Sequence, residues 1–257
     1  MKTGACVSIV LVSVLEATWA SGQPPAPAAE APLADRLATL DALHARRDDP
    51  AALAEASRIA NAALAEAPGD YGVLWRASRV LFTESDRPGR PKDERSRLGK
   101  QAYDLAQRAI AANPNDVAGY YWATLGVGSY ASGMGIMSAV SNGIEGKFKQ
   151  PLERATALDV RYDHGNIPVI WAAYYLELPW PKRDRDKAAD QCRRALAINP
   201  ANLRARLYQA RIAADENHPE QARALLAQIA AAPVGRYDAP EERRVKQDAL
   251  ELAAKVH

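Results

Sequence analysis

Three stretches of this chain close on the same proline step: AEAPGD at 65–70, AANPND at 111–116 and AINPAN at 197–202. Counting back five, eight and twelve residues from each proline finds a small side chain every time. Pro68 is preceded by Ala63, Ala60 and Ala56, Pro114 by Ala109, Ala106 and Ala102, and Pro200 by Ala195, Cys192 and Ala188. On a helix those offsets share one face, and a face of small residues lets a second helix approach closely. The proline then stops the helix, because it has no N–H to donate and its ring clashes with the preceding turn. LERATALDV at 152–160 fits the same frame with Val160 in the proline position, and QARALLAQIAAAP at 221–233 fits it loosely.

Periodicity between these steps is helical: Leu33, Leu37, Leu40 and Leu43 recur at three and four. Alanine supplies 53 of 257 residues, whereas isoleucine and valine together supply 24, too few to build a central sheet. The pattern resembles the tetratricopeptide repeat (TPR) family, with about 34 residues per helix-turn-helix unit. It predicts an all-α protein, a right-handed superhelix of about five TPR-like hairpins with modified inter-helix turns. The hairpins are expected at 33–68, 70–114, 117–160, 165–200 and 202–233, with a capping helix at 239–255 over the exposed end.

Residues 1–20 read as a secretory signal. Lys2 is the positive start, Ala5 to Leu15 is an apolar run of eleven, and Thr18 and Ala20 are small residues before a cut. Eleven residues of helix span roughly 16 Å, about half a bilayer core, so the run is too short for an anchor. Residues 21–32 are a Pro/Ala-rich flexible leader, and 33–257 are the repeat domain. The expected location is periplasmic or secreted, soluble after cleavage, with Cys192 as the remaining cysteine. A balance of 33 basic against 31 acidic residues argues against nucleic acid as a partner.

Three irregular segments fall between the two helices of successive hairpins: TESDRPGRPKDERSRLGK at 83–100, the glycine-rich GVGSYASGMGIMSAVSNGIEGK at 126–147, and LELPWPKRDRDK at 176–187. In a solenoid, equivalent positions line up, so these segments are expected to converge into a ligand or partner site. Arg87, Arg90 and Lys92 would meet Lys182, Arg183 and Arg185 there in a basic rim. The glycine-rich segment is costly to order unless it packs closely on other helices or lines something apolar. The first helices are aromatic, with Trp75, Tyr120, Tyr121, Trp122, Trp171, Tyr174 and Tyr175 on the expected inner face. Tyr130, Met134, Met137, Tyr162, His164 and Trp180 complete the candidate ligand- or partner-binding set.

Catalytic signatures are missing from the sequence. No HExxH, GxSxG, P-loop or dinucleotide fingerprint occurs, and the histidines have no metal-ligand spacing. His44 reads as a packed residue of the first helix, His164 as a turn residue or a ligand contact, and Cys192 as packing in an alanine slot. The chain is therefore read as a binding protein, not an enzyme, with no cofactor and no metal.

A more specific resemblance rests on YYWATLG at 120–126, LERATALDVRYDHGNIPVIWAAYYLELP at 152–179, KAADQCRRALAINP at 187–200 and ARIAADENHPEQARALLAQI at 210–229. These are similar to the T component associated with tripartite ATP-independent periplasmic (TRAP) transporters. That resemblance implies an apolar cavity or pore for a small apolar or carboxylate-bearing ligand. It also implies an extracytoplasmic solute-binding protein, or another envelope protein, as partner. A related group, resembling regulators of microtubule dynamics, shares the architecture and is set aside because of the export signal. The alternative function is a TPR scaffold gripping a peptide or protein in the cell envelope; oligomerisation is left open.

Overall fold

The computed structural model describes residues 31–134, 143–179 and 181–256. The expected signal at 1–20, most of the leader, and the candidates Met137 and Trp180 lie outside them. Within Leu33–His257, one compact unit, the chain is a series of helices: α1 Leu33–His44, α2 Pro50–Glu66, α3 Tyr71–Ser85, α4 Lys92–Ala112 and α5 Val117–Met134, followed by α6 Ile144–Asp159, α7 Tyr162–Glu177, α8 Arg185–Ile198, α9 Leu203–Asp215, α10 Pro219–Ala231 and α11 Ala239–Ala253. Consecutive helices pair as five hairpins, and α11 follows the fifth, as the repeat arithmetic predicts. Among the described residues no helix is long and apolar enough to cross a membrane.

The recurring proline step does two jobs. At each step the last helix is closed by the N–H of Ala67, Asn113 or Asn199 donating to the carbonyl of Ala63, Ala109 or Ala195. Two residues past the proline, Asp70, Asp116 and Asn202 start the next helix by accepting from the backbone N–H of Val73, Ala118 and Ala205. Such caps satisfy donors that a helix cannot pair internally.

The small residues counted back from the prolines are the buried ones. Ala63, Ala102, Ala106, Ala109, Ala188, Cys192 and Ala195 are each 0% exposed. In α6 the frame holds, with Leu152 and Ala155 buried and Val160 exposed. In α10 it slips by one residue, since Ala222, Leu226 and Ile229 are buried, which accounts for the loose match there.

The second and third hairpins differ from the sequence expectation. Of residues 83–100, only 86–91 form a turn; the rest extend α3 and, above all, α4, which reaches 21 residues. The turn is pinned by Arg90, which bonds Glu84 and Glu94, and by Arg95 on Asp86. Residues 126–134 likewise continue α5 as helix. Glycine makes the crossing of these two helices close. A Cβ on Gly99 would lie 2.4 Å from the Tyr130 nitrogen, and one on Gly133 would lie 2.5 Å from the Lys92 oxygen. The glycine-rich run therefore packs on another helix, at least as far as the described residues reach.

Helix α7 is broken in its first turn. Asp163, His164 and Gly165 adopt φ of 50°, 59° and 80°, the left-handed region, which costs a non-glycine residue energy and persists only where the surroundings enforce it. At Gly165 a Cβ would meet Ile198 at 2.8 Å. The regular helix starts at Asn166, one residue after the expected hairpin boundary.

Candidate functional site

The inner aromatic residues gather around Trp122. The Trp122 ring meets His44 at 5.8 Å, Phe82 at 5.9 Å and Tyr121 at 5.0 Å, and Tyr121 in turn meets Tyr162 at 5.0 Å. Tyr121 and Trp122 are 3% and 5% exposed, packed ring against ring. Beside them Trp75 lies under two guanidiniums, Arg76 at 4.1 Å and Arg79 at 4.9 Å, a cation–π arrangement. Both arginines also donate to Asp41. Burial pushes the Asp41 carboxyl up, but the paired arginines outweigh it and hold the acid below its ordinary value.

A chain of polar groups leaves this cluster. Tyr121 donates its hydroxyl proton to Asp163. Asn166 donates to the same carboxylate at 3.0 Å, and Asn202 donates to Asn166 at 3.0 Å. Three successive first helices are joined in this way, and the network fixes the left-handed turn of Asp163 and His164. Burial, reinforced by the Asp163 charge, pushes the Tyr121 hydroxyl well above its ordinary value; Tyr162 is pushed up to about 12. Both stay protonated at neutral pH. His164 faces Tyr237, ring centres 5.6 Å apart.

His44 is held neutral. Burial, then the charges of Arg79 and Arg47, push its pKa well below 6.5. The unfolded chain binds this proton more readily than the folded one, so stability is full above about pH 6.5 and falls as the pH drops below it. The expected slope is about 1.4 kcal/mol per pH unit until the folded ring itself protonates. Urea unfolding at about pH 7.5 and about pH 5.5 should show His44→Phe losing less stability than the parent; an equal loss in both proteins would refute this.

A second aromatic group lies on α6 and α7 and remains half-buried. Phe148 stacks on Tyr174 at 5.5 Å, Trp171 meets Tyr174 edge-on at 5.7 Å, and Trp171 stacks on Tyr175 at 5.9 Å. Trp171 donates its indole N–H to Thr156, Tyr174 donates to Glu145, and Lys182 donates to the other oxygen of Glu145. Phe148 is not among the sequence candidates, although it sits twelve residues before Val160, at a repeat-frame position. Tyr237 carries no sequence signal at all.

The remaining candidates are dispersed. Tyr120 donates to the Pro114 carbonyl, Tyr130 packs with Val127, Ile144 and Phe148, and Met134 ends α5. In the expected basic rim, Arg87 and Arg90 pair with Glu84, Lys182 with Glu145, and Arg185 with Asp215. Arg183 donates to the Leu178 carbonyl, and Lys92 opens α4 beside Gly133. Arg183 and Arg185 border a depression of about 590 Å³ with Asp184, Asp186 and Glu216, so its charge is mixed rather than basic. Cys192 is fully buried and its thiol is pushed up to about 12 by desolvation, an unreactive state. Among the described residues no three His, Cys, Asp or Glu side chains gather into a metal-binding group.

Comparison with known proteins agrees with this architecture. A thermophilic TPR protein from Thermus thermophilus superposes with a TM-score of 0.63 at 18% identity, over 88% of this chain and 98% of that one. Regulator of microtubule dynamics protein 1 of Bos taurus is 27% identical over 116 residues, 44% of this chain and 36% of that protein. The matched region thus spans about a third of this relative's length. The family model described as "Regulator of microtubule dynamics protein 1-3" matches residues 36–164, which hold the His44–Trp122–Tyr162 cluster and end at the left-handed turn. From sequence this family stands behind the transporter-associated one, and the match reverses that order. The chain belongs to the family of regulators of microtubule dynamics proteins 1-3.

Proposed function

We propose that the chain is a helical-repeat scaffold that binds a peptide or protein on the aromatic face of α6 and α7. The observation that carries this reading is the half-buried ladder Phe148–Tyr174–Trp171–Tyr175. Large rings held by their neighbours, with Glu145, Lys182 and Lys187 at the edge, give contact area at little cost in side-chain freedom. Tyr121 and Trp122 pack ring against ring and Tyr121 bonds Asp163, which favours the half-buried ladder as the contact surface. The name of the bovine relative speaks of microtubule dynamics, so tubulin is one defined protein to test beside selected peptides.

Peptides selected on the full chain from a random library should bind the Trp171→Ala and Tyr175→Ala variants at least about tenfold more weakly, the loss of roughly 1.4 kcal/mol that marks an interface anchor. Tyr120→Ala, away from the ladder, should leave binding unchanged. Equal affinity for all four proteins would remove the ladder from the site. Native mass spectrometry that found a bound small apolar or carboxylate-bearing molecule, lost in Trp122→Ala, would instead favour the enclosed-ligand, transport-associated function.

A further inference from the structure

The ion pairs made by α11 are unusual for a solenoid. Stacked hairpins touch their neighbours only, yet the last helix reaches the first two hairpins. Arg47, in the α1–α2 turn, pairs with Asp238 at 2.6 Å across 191 residues. Asp48 in the same turn pairs with Arg243 at 2.7 Å across 195 residues, and Asp86 in the α3–α4 turn pairs with Arg244 across 158. Among the described residues, no helix-on-helix packing accompanies these pairs. Of the described helices, α11 packs on α9 and α10. Its apolar residues belong to a cluster with Leu203, Leu207, Leu226 and Ile229, whereas hairpins 1 and 2 keep a separate one around Leu40, Leu53 and Val80.

The two sides of this seam are held in different ways. Toward α9, Arg204 donates to Glu241 at 2.8 Å and to Asp248 at 2.5 Å, and Val245 is fully buried. Toward hairpins 1 and 2 the contacts are ion pairs, graded from wet to sheltered: the side chains of Arg243 and Asp48 are 50% and 42% exposed, Arg244 and Asp86 45% and 25%, and Arg47 and Asp238 19% and 13%. Partly solvated pairs are individually weak and are screened by salt. A coherent set of them, with apolar cores on both sides that do not depend on it, can separate without unfolding either side.

We propose that this seam is a clasp: three ion pairs hold α11 against the turns of the first two hairpins and close the inner face, and they release as a unit when the charges are screened or reversed. Release parts α11 and Tyr237 from the turns of hairpins 1 and 2, while the core that joins hairpins 2, 3 and 4 stays packed, and opens the face beside His44 and Trp122. The inner face is then a second contact surface, separate from the α6–α7 ladder, reached only in the open form. An incoming partner with alternating charge along one helix could take the place of Asp238, Arg243 and Arg244 on Arg47, Asp48 and Asp86.

The test uses the full chain carrying Cys6→Ser, with Cys192 left in place because it is buried. Spin labels are set on cysteines replacing the exposed Ala54 of α2 and Gln247 of α11. Distances are measured by double electron–electron resonance at about 0.1 M and about 1 M salt, where the screening length falls from roughly 10 Å to roughly 3 Å. The mean distance should lengthen by about a helix diameter, about 10 Å, at high salt. At low salt, Arg243→Asp and Asp48→Arg should each lengthen it, and the double swap should restore it, with helical content unchanged by circular dichroism. A distance that neither salt nor the single reversals move overturns the clasp. So does lengthening accompanied by loss of helix, which would make the seam part of the core. The unsubstituted labelled chain, read against salt alone, decides the matter even if a charge variant fails to fold.

Discussion

Gly99→Val is expected to destabilise the protein by about 3 kcal/mol, at the upper end for overpacking a tight contact. The reason is specific to this helix crossing. A Cβ at position 99 would sit 2.4 Å from the backbone nitrogen of Tyr130 and 2.9 Å from the carbonyl carbon of Ser129. Backbone cannot turn aside as a flexible side chain can, so α4 and α5 must separate along their contact. Separation would also disturb the buried hydroxyl pair of Ser85 and Ser129, 2.7 Å apart, and the contact of Gly126 with Tyr103. Gly146 supplies the contrast. It lies within α6 with nothing within 4 Å of its Cβ position, and Gly146→Ala should be neutral or stabilising by up to about 1 kcal/mol. Urea unfolding of the two variants against the parent checks both. Similar stabilities for Gly99→Val and the parent would show that the helices do not cross this closely.

Glu242→Ala should cost about as much, roughly 3–5 kcal/mol, through hydrogen bonding instead of packing. The Glu242 side chain is 0% exposed. Its carboxylate accepts from the backbone N–H of Gly235, Arg236 and Tyr237 and so organises the loop that delivers α11. Removing it takes the acceptor from three backbone donors of a partly exposed loop, and hydrogen bonds to a charged group contribute on the order of 1.5–3 kcal/mol each. Tyr237, placed by this carboxylate, accepts from the Leu203 N–H and faces His164, so the loss should reach the start of α9. Hydrogen exchange at amides 235–237 should accelerate sharply in the variant while exchange in α2 and α3 does not change. A stability loss below about 1 kcal/mol with unchanged exchange there would contradict the role assigned to Glu242.

Much of the scaffold could be read in the amino acids because its repeated element is local. A proline, an alanine series before it and an Asp or Asn after it lie within one helix and one turn, and the structure uses each for the contact its chemistry suggests. The irregular segments were harder to read. Residues 92–100 are largely charged and follow two prolines, which reads as an irregular segment, yet they form a helix because α5 offers a glycine-lined surface for it. That partner lies some thirty residues further on, beyond any local pattern. The candidate site shows the same division. Trp75, Trp122 and Trp171 stood out on their own helices, but the pairing of Tyr121 with Asp163, and the approach of Tyr237 to His164, depend on how successive first helices are placed. The ion pairs of α11 are more remote still, since nothing near Asp48 in the sequence indicates Arg243.

The long α4 also bears on how such a chain can change length. At about 1.5 Å per residue, its 21 residues reach about 31 Å, about a quarter further than the 17 of α2 and about half further than the 14 of α8. A helix lengthened alone would leave its added turns bare. Here the next helix in the stack is lengthened as well, and the two added segments cover each other through Gly99, Gly126 and Gly133. The irregularities in the second and third hairpins are thus a single matched insertion split across two sites about thirty residues apart. Deleting either half alone would strand the other, whereas removing both together should leave the rest of the stack in register.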